Sequence, residues 1–406
     1  MFKIAWRNIW RNKRRTILTI SAIVFSVFFL STMLSLQEGT YSNNLEKMTR
    51  AWNGKIRIFG KGYYGRESLS KSFSIGEELK NLLNSLKVNW TERIDGFGLI
   101  SFKDKTYGAS ITGINIKREK LTTDISEKII KGRFLKEGER NSALIGNKLA
   151  ENLKVKIGDK VAVIVQGRDG SIGAKLFKIV GIFRTHMLDL DRAKILINIK
   201  DANELFSMSG TVTTIVIQFS EKGDRLEEIK NLIQSKIKNK DLEVLDWKQI
   251  MPEVLELIEF DRISGYLIYA ILIIIIAFGL LNTIYMAIFE RRKEIGVLRA
   301  IGMKRLKITS MVIIEAIYMG IIGAIIGFAL SYPVILHFKS NPIRIGGKFG
   351  EMYESFMFIP EIHFLLSYKL ITYIAIIIMA VSVFMAIIPS LRAVRENLAD
   401  QLKFEK

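Results

Sequence analysis

The stretch ERRKEIGVLRAIGMKR, residues 290–305, decides how the chain is read. Half of its residues are charged and most of those are basic, yet it lies between two long apolar segments. Ile263 to Phe289 before it carries no charge over 27 residues, and Ile308 to Phe338 after it carries one carboxylate, Glu315. Two further runs, Thr16 to Leu36 and Leu370 to Leu391, are also uncharged. A helix rises 1.5 Å per residue, so about 20 apolar residues cross the roughly 30 Å hydrocarbon core of a bilayer. A helix buried in a soluble core rarely runs so far without a polar face. The runs therefore read as four transmembrane helices, at 16–37, 263–289, 308–338 and 370–391.

Charge placement gives the orientation. Lys3, Arg7, Arg11, Lys13, Arg14 and Arg15 precede the first run with no acid among them, and the 290–307 loop holds seven Lys or Arg against Glu290 and Glu294. The positive-inside rule places the 1–15 segment and this loop in the cytoplasm. Four crossings then bring the tail, 392–406, inside as well. A large outer segment (38–262) and a short outer loop (339–369) remain. The first apolar run exceeds the core of a secretory signal and lacks a small-x-small cleavage site, so it reads as a retained anchor.

The formal charge of +20 suggests nucleic acid, but its location argues otherwise. The three inner segments hold 17 of the 60 basic residues and only 5 of the 40 acids, a bias expected of orientation and anionic-lipid contact. The outer segment is an ordinary mixture, and no nucleic-acid partner is expected. The absence of cysteine rules out disulfide and thiolate chemistry. No phosphate-binding GxxxxGK[ST] loop, HExxH zinc motif or nucleophile elbow occurs, and His186, His337 and His363 are scattered. No catalytic or metal-ligating residue is assigned.

The outer segment reads as folded α+β structure. NGKIRIFG (53–60) alternates like a half-buried strand, and SIGEELKNLLNSL (74–86) reads as a helix with a capping box of Ser74 and Glu77. GTVTTIVIQFS (210–220) reads as a strand, and 221–237 as a helix with an apolar face. These flanking parts, 38–115 and 206–262, bracket an inserted lobe at 116–205 rich in short strands and Gly turns. From Lys248 to Arg292 only Pro252, Gly265 and Gly279 interrupt a helical pattern, so a nearly continuous rod is expected to run from the outer domain through the membrane. The fold class is thus a four-helix transmembrane domain with a large α+β periplasmic domain inserted between helices 1 and 2.

In the opening stretch, Ile295, Leu298 and Ile301 form a narrow apolar stripe while Arg291, Arg292, Lys293 and Arg299 project elsewhere. Gly296 and Gly302 leave room for another backbone. A loop merely lying at the headgroups needs the charge but not this stripe. A helix that docks on a partner needs both: knobs for a groove and charges for register.

The same stretch resembles the signature of the FtsX-like permease family, membrane subunits of ABC transporters of the MacB and Lol (LolC/LolE) type. WRNIWRNKRRTILTISAIVFSVFF (6–29) is similar to that family's lead-in to its first helix. KGRFLKEGERNSALIGNKLAENLKVKIGDKVAVIV, FKIVGIF and DRAKILINIKDANELF resemble its outer-domain core. IIPSLRAVRENLADQLK (387–403) resembles its C-terminal end, although the proline often found near Asn397 or Leu398 is missing.

The resemblance implies that 290–307 is a coupling helix docking on a cytoplasmic ABC ATPase dimer, with Glu290, Arg291, Arg292, Lys293, Glu294, Ile295, Gly296, Leu298, Arg299, Ala300 and Gly302 as the coupling residues. ATP and Mg belong to that ATPase, and this chain binds no cofactor of its own. Only fifteen residues precede the first apolar run, so a separate ATPase chain is expected, as in Lol-type systems. A second permease subunit, identical or different, is also implied, with a lipoprotein substrate, a periplasmic lipoprotein carrier and the phospholipid membrane as further partners.

Three features inside the membrane complete the candidates. Gly320, Gly323 and Gly327 place small residues on one face of the third helix, for packing within the chain or between subunits. Glu315 is placed to reach the interface, to pair with a lysine or to serve substrate or proton. Ile17, Phe25 and Phe29 on the first helix, with Leu267 and Ile271 on the second, are candidate substrate-facing positions. The expected function is a permease subunit that couples ATP hydrolysis to periplasmic movement releasing lipoproteins. Efflux of peptides or small molecules of the MacB kind, and FtsX-like signalling to a cell-wall hydrolase, are the alternatives.

Overall fold

The computed structural model describes residues 2–219, 225–237, 241–355 and 358–395. The first residues of the expected 221–237 helix, and the expected tail beyond Arg395 with the end of the 387–403 resemblance, lie outside the described residues. The chain forms two compact units. One gathers Met1–Ser42, Leu257–Arg344 and Glu361–Lys406; the other gathers Asn43–Glu256 and Ile345–Pro360.

The first unit is helical. A short helix α1 (Phe2–Ile9) leads through a tight turn into α2 (Lys13–Met48). Then come α3 (Pro252–Glu290), α4 (Arg292–Ala300), α5 (Arg305–Ser340) and α6 (Tyr368–Arg395). By length and composition α2, α3, α5 and α6 supply four helices able to cross a membrane. Their common core joins Ile23 and Val27 of α2, Leu280 of α3, Ala316 of α5 and Ile378 of α6. Much of the remaining apolar surface is exposed, as on α3 at Leu267 and Phe278, because hydrocarbon rather than water solvates such a helix. The rod expected from Lys248 is interrupted once. Asp246 caps a single turn, Trp247–Ile250, with Gln249 returning the bond, and Met251 leaves helical geometry before Pro252 opens α3. Proline suits that place because its missing N–H would have no partner in a first turn.

The second unit is built on a ten-stranded sheet: β1 (Ile56–Gly60), β2 (Asn89–Phe102), β3 (Lys105–Ile114), β4 (Ile129–Gly132), β5 (Ser142–Gly146), β6 (Lys160–Gln166), β7 (Ile172–Phe183), β8 (Lys194–Asn198), β9 (Thr214–Gln218) and β10 (Leu242–Asp246). The order β10-β1-β9-β2, with helices Glu77–Ser85 and Arg225–Lys236 in the connections, is the βαββαβ arrangement of ferredoxin-like folds. The other strands follow between β2 and β9. There the pairs β2–β3, β3–β8, β8–β5, β5–β7, β7–β6 and β6–β2 close into a ring around a core that includes Ile100, Ile111, Phe177, Ile195 and Phe206.

The expected boundary at 115/116 therefore does not divide the sheet. β2 serves both parts, pairing with β9 through Asn89–Arg93 and with β6 through Gly98–Ser101, and β3 lies in the ring. The expected capping box at Ser74 does not form either: Gly76 occupies the cap of the Glu77–Ser85 helix and no side chain caps it. The segment Ile345–Pro360 of the short loop belongs to this unit, where Glu354 accepts from Arg184 at 2.9 Å and meets His186 Nδ1 at 2.7 Å. One buried ion pair had no signal in the sequence. Arg93 and Glu119, each almost wholly buried, pair while the guanidinium stacks 3.6 Å from the Trp52 ring centre.

Candidate coupling site

The turn at Arg291 separates α3 from α4, and its carbonyl accepts from the Ile295 amide at 2.9 Å. At the other end, the amide of Gly302 reaches the Arg299 carbonyl and that of Met303 the Leu298 carbonyl, both at 3.0 Å. Gly302 has φ +92, so this is a Schellman stop that a Cβ would strain. Gly302 thus ends the helix, and nothing among the described residues lies within 4 Å of where its Cβ would be. Gly296 is buried.

The expected stripe splits. Ile295 turns inward against Ile308, Ala393 and Val394, a burial that stabilises by about 1.5–3 kcal/mol. Leu298 and Arg299 are half-buried, whereas Ile301 is 79% exposed and Val297, which the stripe omitted, is 47% exposed. Lys293, Val297, Ala300 and Ile301 recur at helical spacing and are all exposed, so they form the outward face of α4.

The charges also sort differently from the expectation that all four basic residues project. Arg291 is buried, with Nη1 donating to Glu315 Oε1 at 2.9 Å and Nη2 to the Asn8 carbonyl at 2.9 Å. Asn8 Nδ2 donates to the same Glu315 oxygen at 2.6 Å. Glu315 is thus paired with an arginine and an asparagine, not a lysine, and it ties α5, α1 and the start of the coupling stretch together. Two more pairs hold the N-terminal segment to the same stretch: Arg15–Glu290 at 2.9 Å and Arg11–Glu294 at 2.6 Å. The second is half exposed on both sides and contributes at most about 1 kcal/mol, so Arg291–Glu315 dominates the joint. Sequence reasoning missed this strap because nothing in an isolated basic lead-in names its acidic partners.

The small face of α5 packs within the chain. A Cβ on Gly323 would stand 2.5 Å from Ile23 Cγ2, and one on Gly327 would stand 2.7 Å from Val27 Cβ, both on α2. One on Gly320 would stand 2.7 Å from Ser382 Oγ on α6. The candidate substrate positions are not gathered in one place. Ile17 and Phe25 face a groove shared with α5, Phe29 stacks on Phe25 at 6.2 Å, and Leu267 and Ile271 lie exposed on α3. Among the described residues no cluster of His, Asp and Glu is arranged to hold a metal.

Known proteins share both units. Residues 16–236, more than half of the chain, match the MacB-like periplasmic core domain, and residues 266–398 match the FtsX-like permease C-terminal domain. The chain is similar to an ABC transporter permease of Methanocaldococcus jannaschii, 28% identical over 335 residues that cover 80% of this chain and 81% of that one. It is similar to the lipoprotein-releasing system transmembrane protein LolC of Buchnera aphidicola, 27% identical over 270 residues, 63% of this chain and 65% of that one. It is also similar to the macrolide export ATP-binding/permease protein MacB of Escherichia coli, 24% identical over 344 residues, 81% of this chain and 51% of that one. With a MacB-like periplasmic core domain and an FtsX-like domain on four apolar helices, the chain belongs to the MacB/LolC family of ABC transporter permeases.

Proposed function

We propose that this permease couples ATP hydrolysis by a separate cytoplasmic ABC ATPase dimer to movement of its periplasmic domain, and that the movement releases lipoproteins from the outer leaflet of the inner membrane. The observation that carries the reading is the outward face of α4, Lys293, Val297, Ala300 and Ile301, on a helix whose inner side is anchored by Ile295 and by Arg291–Glu315. Exposed apolar knobs on a rigidly mounted helix suit a protein groove, and the nearby basic residues suit an acidic rim. In this reading both termini and α4 lie on the cytoplasmic side, as the positive-inside bias requires. A second permease subunit completes the transporter, and a periplasmic carrier accepts the lipoprotein.

Likeness to LolC supports lipoprotein cargo, and the exposed apolar faces at Leu267 and Ile271 suit acyl chains. The match to macrolide-exporting MacB over 81% of the chain supports export of small molecules as the second reading. Both readings are tested in proteoliposomes holding this chain with its ATPase, comparing wild type with Ile301→Asp. ATP-dependent release of lipoprotein, lost with ATPase binding in the variant, is the expected result. ATPase binding without lipoprotein release transfers the assignment to export, and no ATPase binding by wild type removes the coupling role.

A further inference from the structure

An apolar groove of about 610 Å³ runs between α2 and α5, with Ile17, Val24, Phe25 and Phe28 on one wall and Ile322, Ile326 and Leu330 on the other. Among the described residues that line it, Ser21 carries the one hydroxyl, and Trp10 closes one end. From Ile17 to Phe28 the groove extends about 16 Å along the helix, half of the roughly 30 Å hydrocarbon core and so the depth of one leaflet.

The Trp10 end has a different chemistry. Trp10, Lys13, Arg14 and Ile17 follow at spacings of three and four, which puts the two cations on the groove's side of α2, one turn before its apolar floor. Both are exposed, unlike Arg15, which engages Glu290. Trp6 packs edge-on against Trp10 at 6.0 Å and against Tyr318 of α5 at 5.5 Å, an aromatic cluster of the kind that settles at headgroup level. No acid occurs in the first 37 residues, and Glu290 and Glu294, which reach this segment from α3 and α4, pair with Arg15 and Arg11.

We propose that the groove is a binding site for an anionic phospholipid, with one acyl chain lying between α2 and α5 and the headgroup phosphate held by Lys13 and Arg14. Charge selects this occupant. A second copy seated here in the same orientation would bring its own Lys3, Arg7, Lys13 and Arg14 to the same level of the bilayer, where like charges repel. An anionic headgroup is attracted there instead. The site is separate from the outward face of α4 and does not depend on the cargo proposed above.

The test uses the full chain in phosphatidylcholine vesicles doped with phosphatidylglycerol or phosphatidylcholine whose acyl chains are brominated, reading the tryptophan quenching that disappears in Trp10→Phe. Brominated phosphatidylglycerol is expected to quench at a mole fraction roughly 30-fold below brominated phosphatidylcholine, equivalent to about 2 kcal/mol. The double variant Lys13→Gln/Arg14→Gln is expected to abolish that preference. Ile326→Phe, which fills the groove, adds no tryptophan and leaves the cations in place, is expected to abolish it independently, so misfolding of one variant does not decide the outcome. Equal quenching by the two lipids overturns the proposal and leaves ordinary lipid contact. Absence of quenching by either also overturns it, because a second copy or another protein then covers the groove.

Discussion

Arg291 and Glu315 stand 2.9 Å apart, Nη1 to Oε1, with each side chain less than a tenth exposed. Removing one member of such a pair strands the other charge, which typically costs about 3–5 kcal/mol, while replacing both with apolar residues of similar volume is far milder. Glu315→Ala is therefore expected to lower the melting temperature of the detergent-purified chain sharply. Arg291→Met/Glu315→Met should sit much closer to wild type. Equal losses in the single and double variants would show that packing, not charge, makes this joint.

The two sides of α4 separate docking from folding. Ile301→Asp, at an exposed position, is expected to change stability by no more than about 0.5 kcal/mol yet to abolish co-purification with the ATPase. Ile295→Asp buries a carboxylate among Ile308, Ala393 and Val394 and is expected to reduce the yield of folded protein. Melting curves and pull-downs on the same preparations distinguish the two effects.

Gly323 and Gly327 meet Ile23 and Val27 too closely for any side chain. Gly323→Leu must push α2 from α5 and should cost about 1–3 kcal/mol. Ile23→Ala on the facing helix should recover part of that loss, which melting of the two single variants and the double variant would measure. Failure of rescue would place the clash elsewhere.

In the strand-rich unit, Glu139 carries a clear pH signature. Hydrogen bonds from Arg133 above all, with the Lys136 amide and the Ser142 hydroxyl, hold its carboxyl down to about 2 from an ordinary 4.5. The folded value is the lower one, so the stabilisation is complete above the unfolded value and is lost as pH falls from about 4.5 toward 2. The stability difference between wild type and Glu139→Gln should thus be constant from pH 7 to 5 and shrink below 4.5. A difference independent of pH down to 3 would refute the assignment.

Much of the membrane unit was legible because hydrocarbon imposes a local rule: an uncharged run of sufficient length must be a helix, as Thr16 to Leu36 and Ile263 to Phe289 are. The ring of the strand-rich unit was not, since the parallel pair β3–β8 joins Ile111 to Ile195 and no local pattern records a partner so distant. The coupling stretch was read in part. Its apolar spacing was plain, but which of Ile295, Val297 and Ile301 points outward depends on α6, which supplies Ala393 and Val394 from another part of the chain. The fate of Arg291 depended likewise on Asn8 and Glu315.

The strand pair β1–β10 has a mechanical meaning. α2 leads into β1 after one wide turn, Thr49–Asn53, and β10 leads into α3 through Trp247–Ile250. Ile56 lies opposite Asp246 and Gly60 opposite Leu242, and the Trp247 amide closes onto the Lys55 carbonyl at 3.0 Å. β1 and β10, which the chain enters from α2 and leaves toward α3, are thus locked in one register. An axial slip of one against the other by a single residue would turn every side chain of a strand to the wrong face of the sheet. Shear between β1 and β10 is therefore the stiff direction of this unit.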